Sequence, residues 1–223
     1  MEIIDLGLIP YKDAEQIQLK KLKEVQDGTS PSTLFLLEHP KVITLGRQGG
    51  AENLHVTEEF LNAQEIELVQ STRGGNITCH YPGQLVAYPV IKVEKRKGGI
   101  RQFFYDMEEA TICTLREFGI EAIRREGYPG VWADGQRKIA STGIGVKRWV
   151  TYHGLALNVS RDVTLFELIT LCGINGAMPT SMELEKLHTT QDVSITVEEV
   201  KDVFKKEFQR VFADSAMAAH PAA

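Results

Sequence analysis

The sequence predicts a domain in which α-helices cover a β-sheet. Apolar residues recur at helical spacing over residues 10–26 and again over residues 101–118. Short apolar runs rich in strand formers lie between these helices, at residues 33–37 and 42–46. An Asp-Gly pair at residues 134–135 separates two further runs, which is typical of a β-hairpin. Helix and strand patterns therefore share one chain.

The first helix has one apolar face and a defined end. Tyr11, Ala14 and Leu22 recur on one side with lysines opposite, and Gly28 follows as the expected C-cap. The helix is therefore expected to lie on the surface of the sheet. Two short strands, or one strand with a sharp bend, follow it, and another helix is expected to begin at the N-cap Thr57.

The second half of the chain alternates between hairpins and helices. After the helix at residues 101–118, one hairpin is expected to turn at residues 134–135 and a second at residues 147–148. Thr196 and Glu199 match a capping box, in which each side chain bonds the backbone of the other. This box predicts the start of the last helix.

Composition excludes several classes of protein. With 223 residues, 43% hydrophobic residues and a net charge of -5, the chain can bury a full core and has no general basis for binding nucleic acid. No segment approaches the roughly 18 consecutive apolar residues of a membrane span, and the N-terminus carries acids where a signal peptide would carry lysines. Cys79, Cys113 and Cys172 are widely spaced, which favours free thiols in a reducing compartment. We therefore expect a cytoplasmic protein without a metal site.

A glycine-rich stretch has the composition of a binding site. Residues 73–84 read RGGNITCHYPGQ between two apolar runs, so we expect them to link or bend two strands of one sheet. The glycines would let the backbone approach a ligand, while Arg73 and His80 offer hydrogen-bond donors. An ordinary glycine-rich loop is the alternative, and it would be favoured if this stretch stood alone. Gly143 and Gly154, inside strand patterns, again indicate close approach to a ligand.

A thiol and an amine are the candidate reactive groups. Cys172 precedes a glycine that leaves its sulfur room, and a nearby lysine is one of the groups that stabilise a thiolate. Lys138 lies in a strand among small residues, so its ammonium could enter the pocket that the glycines open. The alternative is a buried, inert Cys172 and an exposed hairpin Lys138, and the residues alone leave both possibilities open.

Several ordered stretches together resemble the octanoyltransferases of lipoate biosynthesis, the lipoyl(octanoyl) transferase family. The matches run from about residue 33 to residue 175. They include RGGNITCHYPGQ, RKIA at residues 137–140, RWVTYHGLALN at residues 148–158 and CGI at residues 172–174. Each piece is moderately specific, and their joint order and spacing make the resemblance strong.

The resemblance implies a fold and a reaction. The fold is α+β, with a central mixed or antiparallel sheet flanked by helices, similar to the catalytic domains of lipoate and biotin protein ligases. The reaction moves an octanoyl group from octanoyl-acyl carrier protein to a lysine of a lipoyl domain, through a thioester on Cys172, with Lys138 as general acid and base. We expect one catalytic domain over residues 1–212, or a large and a small sheet lobe within it, and a disordered tail at residues 213–223.

The resemblance also assigns substrate-binding residues and partners. The substrate-binding residues are Arg73, Gly74, Gly75, Asn76, Ile77, Thr78, Cys79, His80, Ser141, Thr142, Gly143, Gly154, Leu155 and Ala156. The implied acceptors are lipoyl domains of 2-oxoacid dehydrogenases and the glycine cleavage H protein. No cofactor, nucleic acid or membrane is expected to take part, and a monomer is expected.

The sequence departs from the family's usual residues at three positions. Tyr81 stands where glycine is frequent, Leu171 replaces the proline usual before Cys-Gly-Ile, and Thr142 is more polar than the expected aliphatic residue. These departures concern the shape of the pocket and the preferred chain length rather than the reaction.

Three other functions compete with this one. An ATP-dependent lipoate-protein ligase would share the fold but would not need Cys172. A cysteine hydrolase or amidotransferase would use His80 or His153 as its base, although neither comes with an obvious orienting acid. A non-catalytic acyl-protein binding module would have no reason to keep both Lys138 and Cys172.

Overall fold

Two sheets form the framework of the protein. The computed structural model describes residues 1–94, 96–174, 176–188 and 193–217. Within these ranges, eight strands form a large sheet and three form a small one. In chain order, the strands are β1 (Glu2–Leu8), β2 (Thr33–Glu38), β3 (Val42–Leu45), β4 (Glu67–Gln70), β5 (Thr78–His80), β6 (Gln84–Val90), β7 (Ile123–Arg125), β8 (Tyr128–Trp132), β9 (Arg137–Lys147), β10 (Val150–Asn158) and β11 (Met178–Pro179).

The large sheet is mixed. Its strands follow the order β1-β2-β6-β10-β9-β8-β7, and β11 lies beside β9. The β1–β2 and β11–β9 pairs are parallel, whereas the other neighbours are antiparallel. In the small sheet, β3 lies between β4 and β5. The α+β fold with a central mixed sheet is therefore confirmed.

Helices cover both faces of the large sheet. They are α1 (Tyr11–Gln26), α2 (Glu58–Ala63), α3 (Gly99–Glu117), α4 (Met182–Leu187) and α5 (Val197–Met217). Successive residues of β2 point to opposite faces, as a strand requires. Leu34 joins the apolar cluster under α3 and α5, whereas Phe35 joins the cluster under α1. The expected surface helix is α1, whose Tyr11 and Leu22 are buried.

Short-range signals in the sequence are confirmed at several helix ends. Gly28 follows α1 with a φ of +73°, a conformation that glycine adopts without steric cost. Thr57 accepts a hydrogen bond from the Phe60 N–H at the start of α2. Thr196 and Glu199 form the expected capping box, with the Thr196 N–H donating to Glu199 Oε2 at 2.9 Å and the Glu199 N–H donating to Thr196 Oγ1 at 3.3 Å.

Both expected hairpins are present. Asp134 Oδ1 accepts hydrogen bonds from the backbone of the turn between β8 and β9. The turn between β9 and β10 is made by Arg148 and Trp149, whose φ values of 46° and 65° suit a tight two-residue turn. The second hairpin pairs Gly143 directly with Gly154. The two glycines inside strand patterns are therefore neighbours.

The glycine-rich stretch does not link two strands of one sheet, so that prediction was wrong. It contains a strand of its own, β5, which pairs with β3 in the small sheet. A turn at Gly83, with a φ of +97°, then leads into β6 of the large sheet. A three-residue strand is too short for a period-two pattern to reveal it.

The last helix runs beyond its predicted end. α5 continues to Met217, so residues 213–217 of the expected disordered tail are helical; residues 218–223 lie outside the described part of the chain. Ser215 Oγ donates to Asp106 Oδ1 on α3 at 2.8 Å, and Arg210 lies 3.6 Å from Asp214 one turn away. These contacts prolong the helix. The assignment of residues 1–212 to one domain remains a prediction.

No helix in the described part of the chain is long and apolar enough to cross a membrane.

Candidate active site

A cavity of about 540 Å³ is lined by residues of both sheets. It gathers most of the side chains and glycines that the sequence singled out. These are Lys138, Cys172, Arg73, Gly74, Gly75, Asn76, Thr78, His80, Ser141, Thr142, Gly143, Gly154, Leu155 and Ala156. The hairpin of β9 and β10 therefore forms one wall, and the glycine-rich stretch forms another.

Two predicted site residues do not line the cavity. Thr78 and His80 contribute to the cavity wall, whereas Ile77 and Cys79 are fully buried in the apolar cluster behind it. The alternation of side chains along an extended chain accounts for the difference. Burial raises the pKa of the Cys79 thiol well above its ordinary value. Cys79 therefore supports the site from behind as a neutral thiol.

Lys138 and Cys172 are in contact inside the cavity. Lys138 Nζ lies 3.3 Å from Cys172 Sγ, although the two residues are 34 positions apart in the chain. The lysine is 3% exposed, and its ammonium lies 5.2 Å from the centroid of the Trp132 ring, within the range of a cation–π contact. An ammonium held against a sulfur favours the thiolate form. The pair therefore has the geometry of an activated nucleophile.

Backbone geometry presents the Cys172 sulfur to the cavity. Cys172 has a φ of 54° and a ψ of 19°, in the left-handed region that non-glycine residues rarely adopt. The turn is fixed by its own backbone, because the Gly173 N–H donates to the Thr170 carbonyl at 2.9 Å. The Thr170 N–H in turn donates to the Asn53 carbonyl at 2.8 Å. A strained residue held by its surroundings is typical of functional sites.

Close backbone contacts join the glycine-rich stretch to its neighbours. The Gly74 N–H donates to the Ile144 carbonyl on β9 at 2.8 Å, which ties this stretch to the large sheet. A Cβ at Gly46 would lie 2.1 Å from the Gly75 carbonyl oxygen, so glycine is required there. Arg73 is buried, and its Nη2 donates to the Thr44 carbonyl and hydroxyl, each at 2.7 Å. Arg73 therefore fixes the cavity wall as well as lining it.

Two hydroxyl groups of the cavity wall have no protein partner. The Oγ1 atoms of Thr78 and Thr142 are buried without a hydrogen bond to any described residue. Both residues line the cavity. A buried hydroxyl normally has a partner, so these two groups are available to a ligand.

A second group of titratable residues lies at the cavity wall and behind it. We call it the histidine cluster: His39, His80 and His153 with Tyr11 and Tyr88. Its members stack and hydrogen-bond with one another. The rings of Tyr11 and His80 lie 5.9 Å apart, and His39 Nε2 lies 2.9 Å from the Tyr88 hydroxyl.

Other ring nitrogens of the histidine cluster also have partners. His39 Nδ1 lies 2.7 Å from the Ile9 carbonyl oxygen. His80 Nδ1 lies 2.7 Å from Gln84 Oε1, and His153 Nε2 lies 3.1 Å from Thr72 Oγ1. These contacts hold the rings in fixed orientations.

Burial keeps the histidine cluster neutral. It lowers the pKa of His39 from 6.5 to about 4 and that of His153 from 6.5 to about 3. The pKa of His80 is lowered well below its usual value, chiefly by burial. Burial also raises the pKa of Tyr11 to about 12. No member of the cluster has the pKa of a general base that titrates near neutrality.

The sequence did not reveal the aromatic residues of the cavity wall. Tyr11, Tyr88, Phe104 and Tyr128 all line the cavity. Tyr11 was assigned to the apolar face of α1, and a core tyrosine and a cavity tyrosine look alike in such a pattern. Among the described residues, no group of three or more His, Cys, Asp or Glu side chains is arranged to hold a metal ion.

The sequence has close relatives of known name. Residues 10–209 match the model of the lipoyl protein ligase A/B catalytic domain. An octanoyltransferase of Maridesulfovibrio salexigens is 59% identical over 219 residues, which cover 98% of this chain and 100% of that protein. An octanoyltransferase of Nitratidesulfovibrio vulgaris is 56% identical over 223 residues, which cover 100% of both chains.

Solved structures share the fold at much lower identity. Lipoate-protein ligase A bound with ATP has a TM-score of 0.71 at 16% identity, covering 95% of this chain and 85% of that one. Biotin protein ligase from Aquifex aeolicus has a TM-score of 0.52 at 12% identity, covering 96% and 69%. These structures establish the fold, whereas the curated relatives establish the family. The chain belongs to the lipoyl protein ligase A/B catalytic domain family and, within it, to the octanoyltransferases.

Proposed function

We propose that the protein transfers an octanoyl group from octanoyl-acyl carrier protein to a lysine of a lipoyl domain, through a thioester on Cys172. The observation that carries this proposal is the 3.3 Å contact between Lys138 Nζ and Cys172 Sγ. The contact lies in a cavity of about 540 Å³, a volume typical of small-molecule sites. The acceptors would be lipoyl domains of 2-oxoacid dehydrogenases and the glycine cleavage H protein.

The first half-reaction loads the enzyme. The Lys138 ammonium stabilises the Cys172 thiolate, which attacks the carbonyl carbon of the donor thioester. A new carbon–sulfur bond forms at Cys172 while the bond to the carrier's sulfur breaks. Lys138 then gives its proton to the departing thiolate and becomes neutral. One thioester replaces another, so the step needs no ATP.

The second half-reaction transfers the octanoyl group from Cys172 to the acceptor lysine. The neutral amine of the acceptor lysine attacks the acyl carbon on Cys172, and an amide bond forms as the carbon–sulfur bond breaks. The neutral Lys138 takes the proton that the amine loses, and Cys172 leaves as a thiolate. The dyad thereby returns to its starting state without a net gain or loss of protons.

The cavity wall suits an acyl thioester. Gly143 and Gly154 pair directly across two strands and both line the cavity, beside Leu155 and Ala156. Burying eight carbons would contribute about 0.8 kcal/mol for each CH₂, enough to select octanoyl over acetyl. The free hydroxyls of Thr78 and Thr142 could donate to the thioester oxygen as it becomes anionic.

We also propose that the protein works in the cytoplasm. All three of its cysteines are free thiols, which suits a reducing compartment.

Intact-protein mass spectrometry after mixing with octanoyl-acyl carrier protein, without ATP, tests the proposed reaction. We expect the wild-type protein to gain one octanoyl group that hydroxylamine removes. Cys172→Ala should gain none, and Lys138→Ala should gain it far more slowly. An ATP-dependent gain on the lipoyl domain that survives Cys172→Ala would instead identify an ATP-dependent lipoate-protein ligase.

A further inference from the structure

A buried carboxylate on α3 lies close to Lys138. Glu108 is 9% exposed. Burial raises the pKa of this carboxyl group, whereas the charges of Arg124 and Lys138 act to lower it. The charge of Lys138 therefore acts favourably on the ionised form of Glu108.

The Glu108 side chain also holds the backbone next to Lys138. Its Oε1 atom accepts a hydrogen bond from the Gly130 N–H at 2.8 Å. Its Oε2 atom lies 3.5 Å from Arg124 Nε. Both carboxylate oxygens therefore have a partner, one on β8 and one on β7.

Gly130 packs directly against the end of the lysine. A Cβ on Gly130 would lie 2.7 Å from Lys138 Cε and 3.3 Å from Lys138 Nζ. It would also lie 2.4 Å from the Ala140 carbonyl oxygen. The bare backbone at Gly130 is thus a wall of the slot that holds the ammonium. A shift of this backbone would move Nζ relative to the sulfur.

We propose that Glu108 is a positioning residue for the transfer reaction: its carboxylate holds the Gly130 backbone against Lys138, so that Nζ stays on the Cys172 sulfur. The inference rests on the proposed function, because it assigns the support of the same dyad. Glu108 touches no substrate atom in this account and acts through Lys138.

The other charged groups around the dyad have partners of their own. These pairs are Arg124 Nη2 with Glu109 Oε2 at 2.5 Å, Arg137 Nη2 with Glu185 Oε2 at 3.3 Å, and Arg73 Nη2 with the Thr44 carbonyl at 2.7 Å. Cys79 faces Cys172 as a neutral, buried thiol. Glu109 is the matched control, because it shares Arg124 with Glu108 but does not bond Gly130.

The test compares Glu108→Gln, Glu108→Ala and Glu109→Gln with wild type in single-turnover acylation across pH. We expect Glu108→Gln, which can still accept from Gly130 but loses its charge and its ion pair with Arg124, to acylate about tenfold more slowly, the effect of about 1.4 kcal/mol. Glu108→Ala should lose about 100-fold, because it also leaves the Gly130 N–H unpaired. Glu109→Gln should stay within about twofold, because its partly exposed ion pair with Arg124 does not involve Gly130.

Several results would overturn the inference. One is a Glu108→Ala protein with the wild-type acylation rate, and another is an equal loss in Glu109→Gln. A change confined to KM, with the acylation rate at saturation intact, would assign Glu108 to binding instead. Melting temperatures identify any variant that fails to fold, and the milder Glu108→Gln substitution then decides the question.

A second readout separates this inference from the proposed function. Alkylation of Cys172 by iodoacetamide, followed on the Cys172 peptide by mass spectrometry, needs no acyl donor. We expect alkylation of Glu108→Ala at pH 7 to be about tenfold slower than that of wild type, because the Gly130 backbone is no longer held and Lys138 Nζ moves away from the sulfur. An unchanged or faster alkylation would contradict the inference. If wild type takes no octanoyl group but this difference persists, the proposed function fails and the role of Glu108 stands.

Discussion

The dyad and the histidine cluster are two titratable groups of one cavity in opposite situations. Lys138 and Cys172 contact each other, and among the described residues the lysine ammonium has no other hydrogen-bond partner. The rings of the histidine cluster bond several protein groups, and burial keeps them neutral. The proposed activation of Cys172 therefore depends on its contact with Lys138. Histidine is the commonest catalytic base, but the histidines of this cluster lie at the cavity wall or behind it as neutral side chains.

The comparison also separates the competing mechanisms. A cysteine hydrolase would need His80 or His153 to accept a proton near neutral pH. The pKa of His153 is lowered to about 3 by burial, and His80 is shifted in the same direction. Lys138, not a histidine, is the basic group bonded to the sulfur.

Replacing one residue of the dyad and one of the histidine cluster should give the largest difference in acylation rate. We expect Lys138→Met to lower the acylation rate about 10³-fold, within the range of acid–base catalysis. His153→Gln should keep the rate within about tenfold of wild type, below that range. Stopped-flow acylation of Cys172 measures both rates. Equal losses in the two variants would mean that the histidine cluster takes part in proton transfer.

A methyl group beside the ammonium should break the dyad without removing either member. We expect Gly130→Ala to lose about 10²-fold in kcat/KM, because the added Cβ would lie 2.4 Å from the Ala140 carbonyl oxygen and 2.7 Å from Lys138 Cε, so that Lys138 shifts relative to the sulfur. Gly127→Ala is the control for a positive φ: its φ of +77° also strains a non-glycine residue, but nothing lies within 4 Å of the added atom. Steady-state kinetics with both variants tests this. A comparable loss in Gly127→Ala would trace the effect to strain alone.

The histidine cluster should instead affect how the free energy of unfolding depends on pH. The folded-state pKa values of His39 and His153, about 4 and about 3, lie below the ordinary value of 6.5. The unfolded chain then binds more protons below pH 6.5, so stability is full above that pH. It is lost as the pH falls towards 4, by about 1.4 kcal/mol per pH unit for each histidine.

Urea unfolding between pH 7 and pH 4.5 measures this dependence. His39→Gln should reduce the slope of the unfolding free energy against pH by about 1.4 kcal/mol per pH unit, the contribution of one proton. A variant with the wild-type slope would mean that His39 is not buried neutral.

Hydroxyls with and without partners should give the smallest effect. Thr142 Oγ1 has no partner among the described residues, whereas the buried Thr111 donates to the Met107 carbonyl at 2.9 Å. We expect Thr142→Val to keep its melting temperature and lose about fivefold in kcat/KM, one neutral hydrogen bond to substrate. Thr111→Val should do the reverse. Melting curves and kinetics on both proteins check this, and an unstable, fully active Thr142→Val would contradict it.

Local signals in the sequence predicted local structure well. Thr57, Thr196 and Asp134 act on backbone groups within three residues of themselves, so a short pattern contains the whole interaction. The contact between Lys138 and Cys172 spans 34 residues, and nothing in the spacing of the two residues requires it. Only the resemblance to a family paired them before the fold was known.

Other features of the site could not be read from the sequence. The left-handed backbone at Cys172 depends on hydrogen bonds to a distant loop, including the one to the Asn53 carbonyl. Tyr11 was assigned to the packed face of a helix and lies there, but that face also borders the cavity. Strand β5 was missed because it has three residues. In each case the partner that decides the structure is remote in the chain.

The left-handed turn at Cys172 shows that folding and chemistry place different demands on this position. Folding does not require a cysteine here, whereas the proposed reaction does. Glycine adopts a φ of 54° more readily than cysteine does. A drift from cysteine to glycine at this position would therefore pass unnoticed by any screen for folded or abundant protein, and yet end acyl transfer. In a population of such genes, only selection for the proposed acyl transfer would preserve Cys172.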